Sequence, residues 1–64
     1  MHYAGRLTVE DASGSRFQIH EYRGRRLFRQ VRRFVLQTGE PVTRLDFDHY
    51  EVARTGKKLV RIDA

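Results

Sequence analysis

Residues 35–45 read VLQTGEPVTRL, and residues 52–62 read VARTGKKLVRI. The two segments align without gaps and share a valine, a threonine, a glycine and an arginine at equivalent positions. In each segment the glycine stands between runs that contain β-branched and aliphatic residues. Glycine adopts the positive φ that a tight turn needs, and such flanking residues suit a pleated strand. Each segment therefore predicts a strand, a tight turn and a second strand.

The chain before these segments shows a similar pattern. Apolar residues alternate with polar ones around Leu7 and Val9 and again around Phe17 and Ile19, and the turn-forming run DASGS occupies positions 11–15. This pattern predicts strands near residues 3–10 and 16–22. The serines of the turn are expected to bond local backbone groups.

A further strand pair is predicted between the two similar segments. Residues 41–47 and 48–54 are β-like runs, and they meet at the aspartates Asp46 and Asp48, which tolerate turns. Pro41 has no N–H to donate to a ladder, so it is expected at the start of its strand or on a sheet edge.

The segment from Arg25 to Gln37 is compatible with two structures. As a helix it would place its apolar residues on one face, namely Leu27, Phe28, Val31, Phe34 and Val35. Against a helix, Gly24 is a weak N-cap, and arginines in the first turn oppose the helix dipole. We therefore predict a long bent strand, with Phe28 and Phe34 in the core. The alternative is an α+β fold with a helix at about 25–35 packed on the sheet.

These elements predict one all-β domain over residues 1–64, an antiparallel meander or SH3-like open barrel built from consecutive hairpins. A chain of this length buries only about 60% of its unfolded surface, and it has no cysteine to form disulfides. Its core is therefore small, and the hairpins leave sheet edges to be covered. A homodimer is expected for both reasons.

The positive charge lies in one segment. Residues 22–39 contain no Asp or Glu but hold six arginines, whereas the rest of the chain holds seven Lys and Arg against eight Asp and Glu. The formal net charge of +5 therefore comes entirely from this segment.

Arginine binds phosphate in a bidentate manner, and aromatic side chains stack on unpaired bases. The sequence therefore predicts a small basic module that binds DNA or RNA phosphates through residues 22–34, without strong sequence preference. The candidate binding residues are Tyr22, Arg23, Arg25, Arg26, Arg29, Arg32 and Arg33. The alternative is a protein-interaction or homodimerising accessory module whose arginine face meets an acidic partner.

Other functions find little support in the sequence. So small a chain rarely encloses a catalytic cleft, so we expect no enzyme, no catalytic residue and no cofactor. The histidines His2, His20 and His49 are scattered, and no metal site is predicted; His20 is expected on the outward face of its strand. The longest apolar run, residues 34–36, is far shorter than a membrane span, and residues 1–4 lack the apolar core of a secretory signal, so we expect neither feature. These features predict a cytoplasmic protein with no membrane partner.

Overall fold

Six antiparallel strands follow one another along the chain, and each pairs with the next. The computed structural model describes residues 1–63. The strands are β1 (His2–Glu10), β2 (Arg16–Arg26), β3 (Arg29–Leu36), β4 (Pro41–Arg44), β5 (His49–Val52) and β6 (Lys58–Arg61). The prediction of an all-β fold made of consecutive hairpins is confirmed. The alternative helix at about 25–35 is wrong, because those residues belong to β2, β3 and the turn between them.

The predicted meander closes into a barrel, because β1 also pairs with β6. This ladder is short: Val9 pairs with Arg61 and Glu10 with Val60. Beyond it, the Ile62 amide donates to the Thr8 carbonyl at 3.0 Å, and the Thr8 amide donates to the Asp63 carboxylate at 3.0 Å. The β1–β6 junction is therefore held by only a few hydrogen bonds.

The two similar segments form the β3–β4 and β5–β6 hairpins, as predicted. Gly39 and Gly56 have φ values of 96° and 75°, so each supplies the left-handed conformation of its turn. The turns are not identical, since the Gly39 amide donates to the carbonyl three residues before it and the Gly56 amide to the carbonyl four residues before it. Pro41 begins β4, one of the two positions predicted for it.

The first hairpin is longer than predicted, since β1 begins at His2 and β2 continues to Arg26. Its turn is organised by Asp11, whose carboxylate accepts hydrogen bonds from the amides of Ser13 and Ser15 at 3.0 and 2.9 Å. The Ser13 hydroxyl donates to the same carboxylate at 2.7 Å. The serine hydroxyls therefore make local bonds, but to the Asp11 carboxylate and to each other, not to backbone groups as predicted.

Asp11 also forms an ion pair with Lys57 across the barrel end, at 2.9 Å. The Lys57 ammonium, followed by the Ser13 hydroxyl, holds the pKa of Asp11 well below its ordinary value. A carboxylate whose pKa is lower in the folded chain stabilises the fold above its unfolded pKa of about 4, and this contribution is lost as the pH falls further.

We therefore expect Asp11→Asn to flatten the acid limb of the stability profile. Asparagine keeps the capacity to organise the turn but carries no charge. Urea midpoints measured between about pH 6 and pH 2 should fall less steeply for this variant than for the wild type. Parallel profiles for the two proteins would contradict a stabilising charge at Asp11.

The core consists of nine buried side chains, contributed by all six strands. They are Leu7, Val9, Ile19, Phe34, Leu36, Val42, Tyr50, Val52 and Leu59. Phe34 meets Tyr50 edge to face, with ring centroids 5.5 Å apart. Phe34 is thus in the core, as predicted. The prediction for Phe28 is wrong, because its side chain is fully exposed.

The reason is a hairpin turn inside the segment predicted as one bent strand. Leu27 and Phe28 form a two-residue turn, and β2 and β3 run antiparallel on either side of it. The register pairs Tyr22 with Arg33 and continues to Arg26 with Arg29. We call residues 22–33 the arm. It extends beyond the core by five residue pairs, roughly 16 Å at about 3.3 Å per residue, and the molecule measures 40 × 24 × 21 Å.

The strand directions define two ends of the barrel. The arm end carries the 27–28 turn and the loop at 45–48, and the turn end carries the turns at 11–15, 37–40 and 53–57. Within residues 1–63 there is no helix with the length and apolar character needed to cross a membrane.

Candidate nucleic-acid interface

The register of β2 and β3 distributes the arm arginines over two faces. Paired residues of an antiparallel ladder share a face, and the face alternates along each strand. The pairs Ile19–Leu36 and Glu21–Phe34 face the barrel interior, and the next pairs in phase form the inner face of the arm: Arg23–Arg32 and Arg25–Gln30. The outer face holds the pairs Tyr22–Arg33, Gly24–Val31 and Arg26–Arg29. Each face therefore presents three arginines.

Two of these pairs set arginine directly opposite arginine. Arg23 faces Arg32 on the inner face, and Arg26 faces Arg29 on the outer face next to the turn. Like charges at opposed positions of an antiparallel ladder destabilise the pairing. The arm thus carries a repulsion that a bound polyanion would relieve.

Most acidic side chains outside the arm pair with cations that also lie outside the arm. In the part of the chain that the structure describes, six of the eight Asp and Glu residues form ion pairs with Lys or Arg, and Asp46 contacts His49. On the arm only Arg23 takes part, through a 2.6 Å contact with Glu21. The other five arm arginines have no carboxylate within 4.0 Å among residues 1–63. Their charge is therefore available to a ligand.

The base of the arm is supported on its outer face by aromatic residues of β1 and β2. Tyr3 pairs with Tyr22, and their rings meet edge to face at 5.6 Å. The Tyr3 hydroxyl also lies 3.0 Å from Nδ1 of His20, which is on the outward face as predicted. Met1 covers Gly24, where a Cβ would lie 3.1 Å from the Met1 Cγ. Tyr22 is therefore half-buried, and its role as a stacking side chain stays a prediction.

The tip of the arm is apolar and exposed, a feature that the sequence did not reveal. Leu27 is 87% exposed and Phe28 is fully exposed. Leu27 has a φ of 58° and Phe28 does not have a positive φ, a pattern typical of a type II′ turn, in which glycine is preferred at the first position. A bulky residue in this conformation costs about 1–3 kcal/mol. The chain thus carries leucine where glycine would relieve strain.

A second exposed aromatic residue lies in the loop at 45–48, at the same end of the barrel. The Arg44 guanidinium lies over the Phe47 ring, 5.3 Å from its centroid, and Phe47 is 70% exposed. Sequence reasoning missed the pair of Arg44 and Phe47.

In the same loop the Asp46 carboxylate contacts His49 Nδ1 at 2.6 Å, and this hydrogen bond is the main cause of the lowered pKa of Asp46.

No cluster of three potential metal-ligating side chains occurs within residues 1–63. Family models, curated proteins and solved structures were compared with the chain, and none matches it.

Proposed function

We propose that this protein is a cytoplasmic, non-enzymatic module that binds nucleic acid through the arm. The arginines contact phosphates, and Tyr22 contributes at the arm base. The interface consists of Tyr22, Arg23, Arg25, Arg26, Arg29, Arg32 and Arg33. The observation that supports the proposal best is that arginine faces arginine at two positions of an arm on which only Arg23 has an acidic partner.

Nucleic acid supplies the anionic groups that most of the arm arginines lack. Guanidinium groups form bidentate hydrogen bonds to phosphate, and a phosphate chain places negative charge all along an extended surface. Phosphate contacts carry no base information, so little sequence preference follows from the arginines. The proposed ligand is therefore DNA or RNA held mainly by its backbone.

The test is binding of labelled single-stranded and duplex oligonucleotides, measured by fluorescence anisotropy at several salt concentrations. Neutralising five or six phosphates predicts a slope of log K against log salt of about −5 on duplex DNA and about −4 on single strands. Affinity should thus fall steeply between low and physiological salt. No binding at low salt, or binding that ignores ionic strength, would contradict the proposal.

A second candidate is an acidic protein partner, and one observation favours it. β4 pairs only with Phe34 and Val35 of β3, which leaves the β3 edge from Arg29 to Arg33 without a neighbouring strand in the described part of the chain. An extended acidic peptide would add to such an edge. A second copy of the arm would instead place arginine beside arginine, so the homodimer expected from the small core would have to use another surface.

Competition separates the two candidates. If nucleic acid is the ligand, a polyglutamate peptide of equal charge should displace the oligonucleotide poorly, because it lacks the doubly hydrogen-bonding phosphate group. Displacement at equal concentration would favour the acidic protein partner. The molar mass in solution, with and without oligonucleotide, reports self-association in the same samples.

A further inference from the structure

The apolar tip is not required for the phosphate contacts just described. Leu27 and Phe28 project from the two-residue turn, and the residues that flank them are the opposed Arg26 and Arg29. An exposed leucine and phenylalanine flanked by two cations are complementary to a ligand with an apolar interior and an anionic exterior. Stacked base pairs between two phosphate backbones have this arrangement.

The distribution of arginines favours a duplex over a single strand or a lipid surface. The inner and outer faces carry three arginines each, and they extend from the tip back to Arg23 and Arg33. A single strand or a flat headgroup layer would contact one face of the arm and leave the other in solvent. A groove of duplex DNA has a phosphate backbone on each side, so an arm inside it offers arginines to both.

The width of the arm determines what its entry does to the duplex. The last three residue pairs, from 24–26 and 29–31, form a two-stranded ribbon, because β1 pairs with β2 only as far as Arg23. Two paired backbones lie about 4.8 Å apart before side chains are added, so the major groove, about 12 Å wide, would admit the arm as it stands, whereas the undistorted minor groove is only about 6 Å wide. Entry into the minor groove therefore requires that groove to open, and inserted apolar side chains such as those of the exposed tip open it.

We infer that Leu27 and Phe28 wedge between adjacent base pairs from the minor groove and bend duplex DNA. Apolar side chains inserted in this way unstack a base step and kink the helix toward the major groove, which widens the minor groove for the arm. The inference rests on the proposed function, since the arginines have to hold the backbone while the tip enters. It predicts a preference for flexible pyrimidine–purine steps, which the phosphate contacts alone do not give.

The test uses duplexes of about 30 base pairs with a donor and an acceptor dye at their ends. One duplex has a central TA step and its partner a stiff central A-tract. The wild-type protein should raise the transfer efficiency and bind the TA duplex more tightly. The variant Leu27→Gly/Phe28→Ser removes the apolar tip and gives the turn its preferred first residue, so the arm should remain folded. It should bind with the same salt slope, without raising transfer and without preferring TA.

A fluorescent variant reports the tip directly. The chain has no tryptophan, so Phe28→Trp introduces a single indole that keeps the aromatic wedge. Duplex binding should quench its emission and protect it from acrylamide. Ala12→Trp is the control, an exposed position in the turn at the opposite end of the barrel, and its emission should remain open to acrylamide in the complex.

The outcomes separate the two proposals. Binding with the expected salt slope but without bending, or equal bending by the wild type and the tip variant, overturns the wedge and leaves the proposed function standing. Tip-dependent binding that is tighter to single strands, or to vesicles containing anionic phosphatidylglycerol, than to duplex also overturns the wedge. Absence of binding to any oligonucleotide at low salt overturns the proposed function and the wedge with it.

Discussion

Replacing Arg29, Arg32 and Arg33 with glutamine is expected to weaken duplex binding by about 500-fold at about 0.1 M salt. Each phosphate contact contributes about 0.9 to the salt slope, so three lost contacts lower the slope by about 2.7 and the affinity at this salt by the corresponding power of ten. Anisotropy titrations at several salt concentrations measure both quantities. The affinity and the slope should change together.

The same variant should fold at least as well as the wild type. None of the three residues has a carboxylate partner among residues 1–63, and two of them face arginines, Arg23 and Arg26. Their substitution therefore relieves repulsion across the ladder without breaking an ion pair. A loss of binding accompanied by unchanged or higher thermal stability would distinguish an interface effect from unfolding.

The matched control removes three cations at the turn end. Arg16, Arg54 and Lys58 are exposed, they pair with Glu10, Glu40 and Glu51, and their replacement by glutamine lowers the net charge by the same amount. These positions lie away from the arm, and charge effects are screened beyond about 10 Å at this salt. Binding should fall only slightly. An equal loss in the two triple variants would show that net charge, not the arm, governs binding.

Ile19→Ala is expected to lower the free energy of unfolding by about 2–5 kcal/mol. Ile19 has no exposed surface, and it lies on β2 between β1 and β3, where it pairs with Leu7 and Leu36. The substitution removes buried methyl and methylene groups and leaves a cavity. A domain of 64 residues has a total stability of only about 3–10 kcal/mol, so this one change removes much of it.

Urea denaturation followed by circular dichroism measures the effect. Val60→Ala is the control, since Val60 is 44% exposed and lies on β6 outside the core. Its substitution should cost well under about 1 kcal/mol. If Ile19→Ala costs no more than Val60→Ala, the barrel interior is not packed around Ile19 as described.

The hairpins could be predicted where the turns contain typical turn-forming residues. Gly39 and Gly56 lie between apolar strands, and Asp11 begins a run of turn-forming residues, so these reversals can be recognised from local residue types alone. The turn at Leu27 and Phe28 gives no such signal, because a type II′ turn is expected to begin with glycine. In a continuous strand Phe28 would be in phase with Phe34, whereas it lies in the turn, so the prediction that Phe28 is buried was wrong.

The candidate site was predictable in part. The absence of acidic residues from 22 to 39 identifies the charged segment without any structure. The division of its arginines between two faces depends on the register of β2 and β3, which is set by the undetected turn at Leu27. The exposure of the tip depends on the same turn. The contact of Arg44 with Phe47 depends on a loop conformation that residue types do not specify.

The short β1–β6 ladder has a consequence for how the molecule assembles. Every other strand pair joins neighbours in the chain and closes a short loop, whereas this one brings Val9 to Arg61. Because the entropic cost of closure grows with loop length, we expect the hairpins to form first and the β1–β6 ladder to form last. Local unfolding of the barrel should begin at the same ladder. The arm belongs to β2 and β3, so it can keep its structure while the β1–β6 ladder is open.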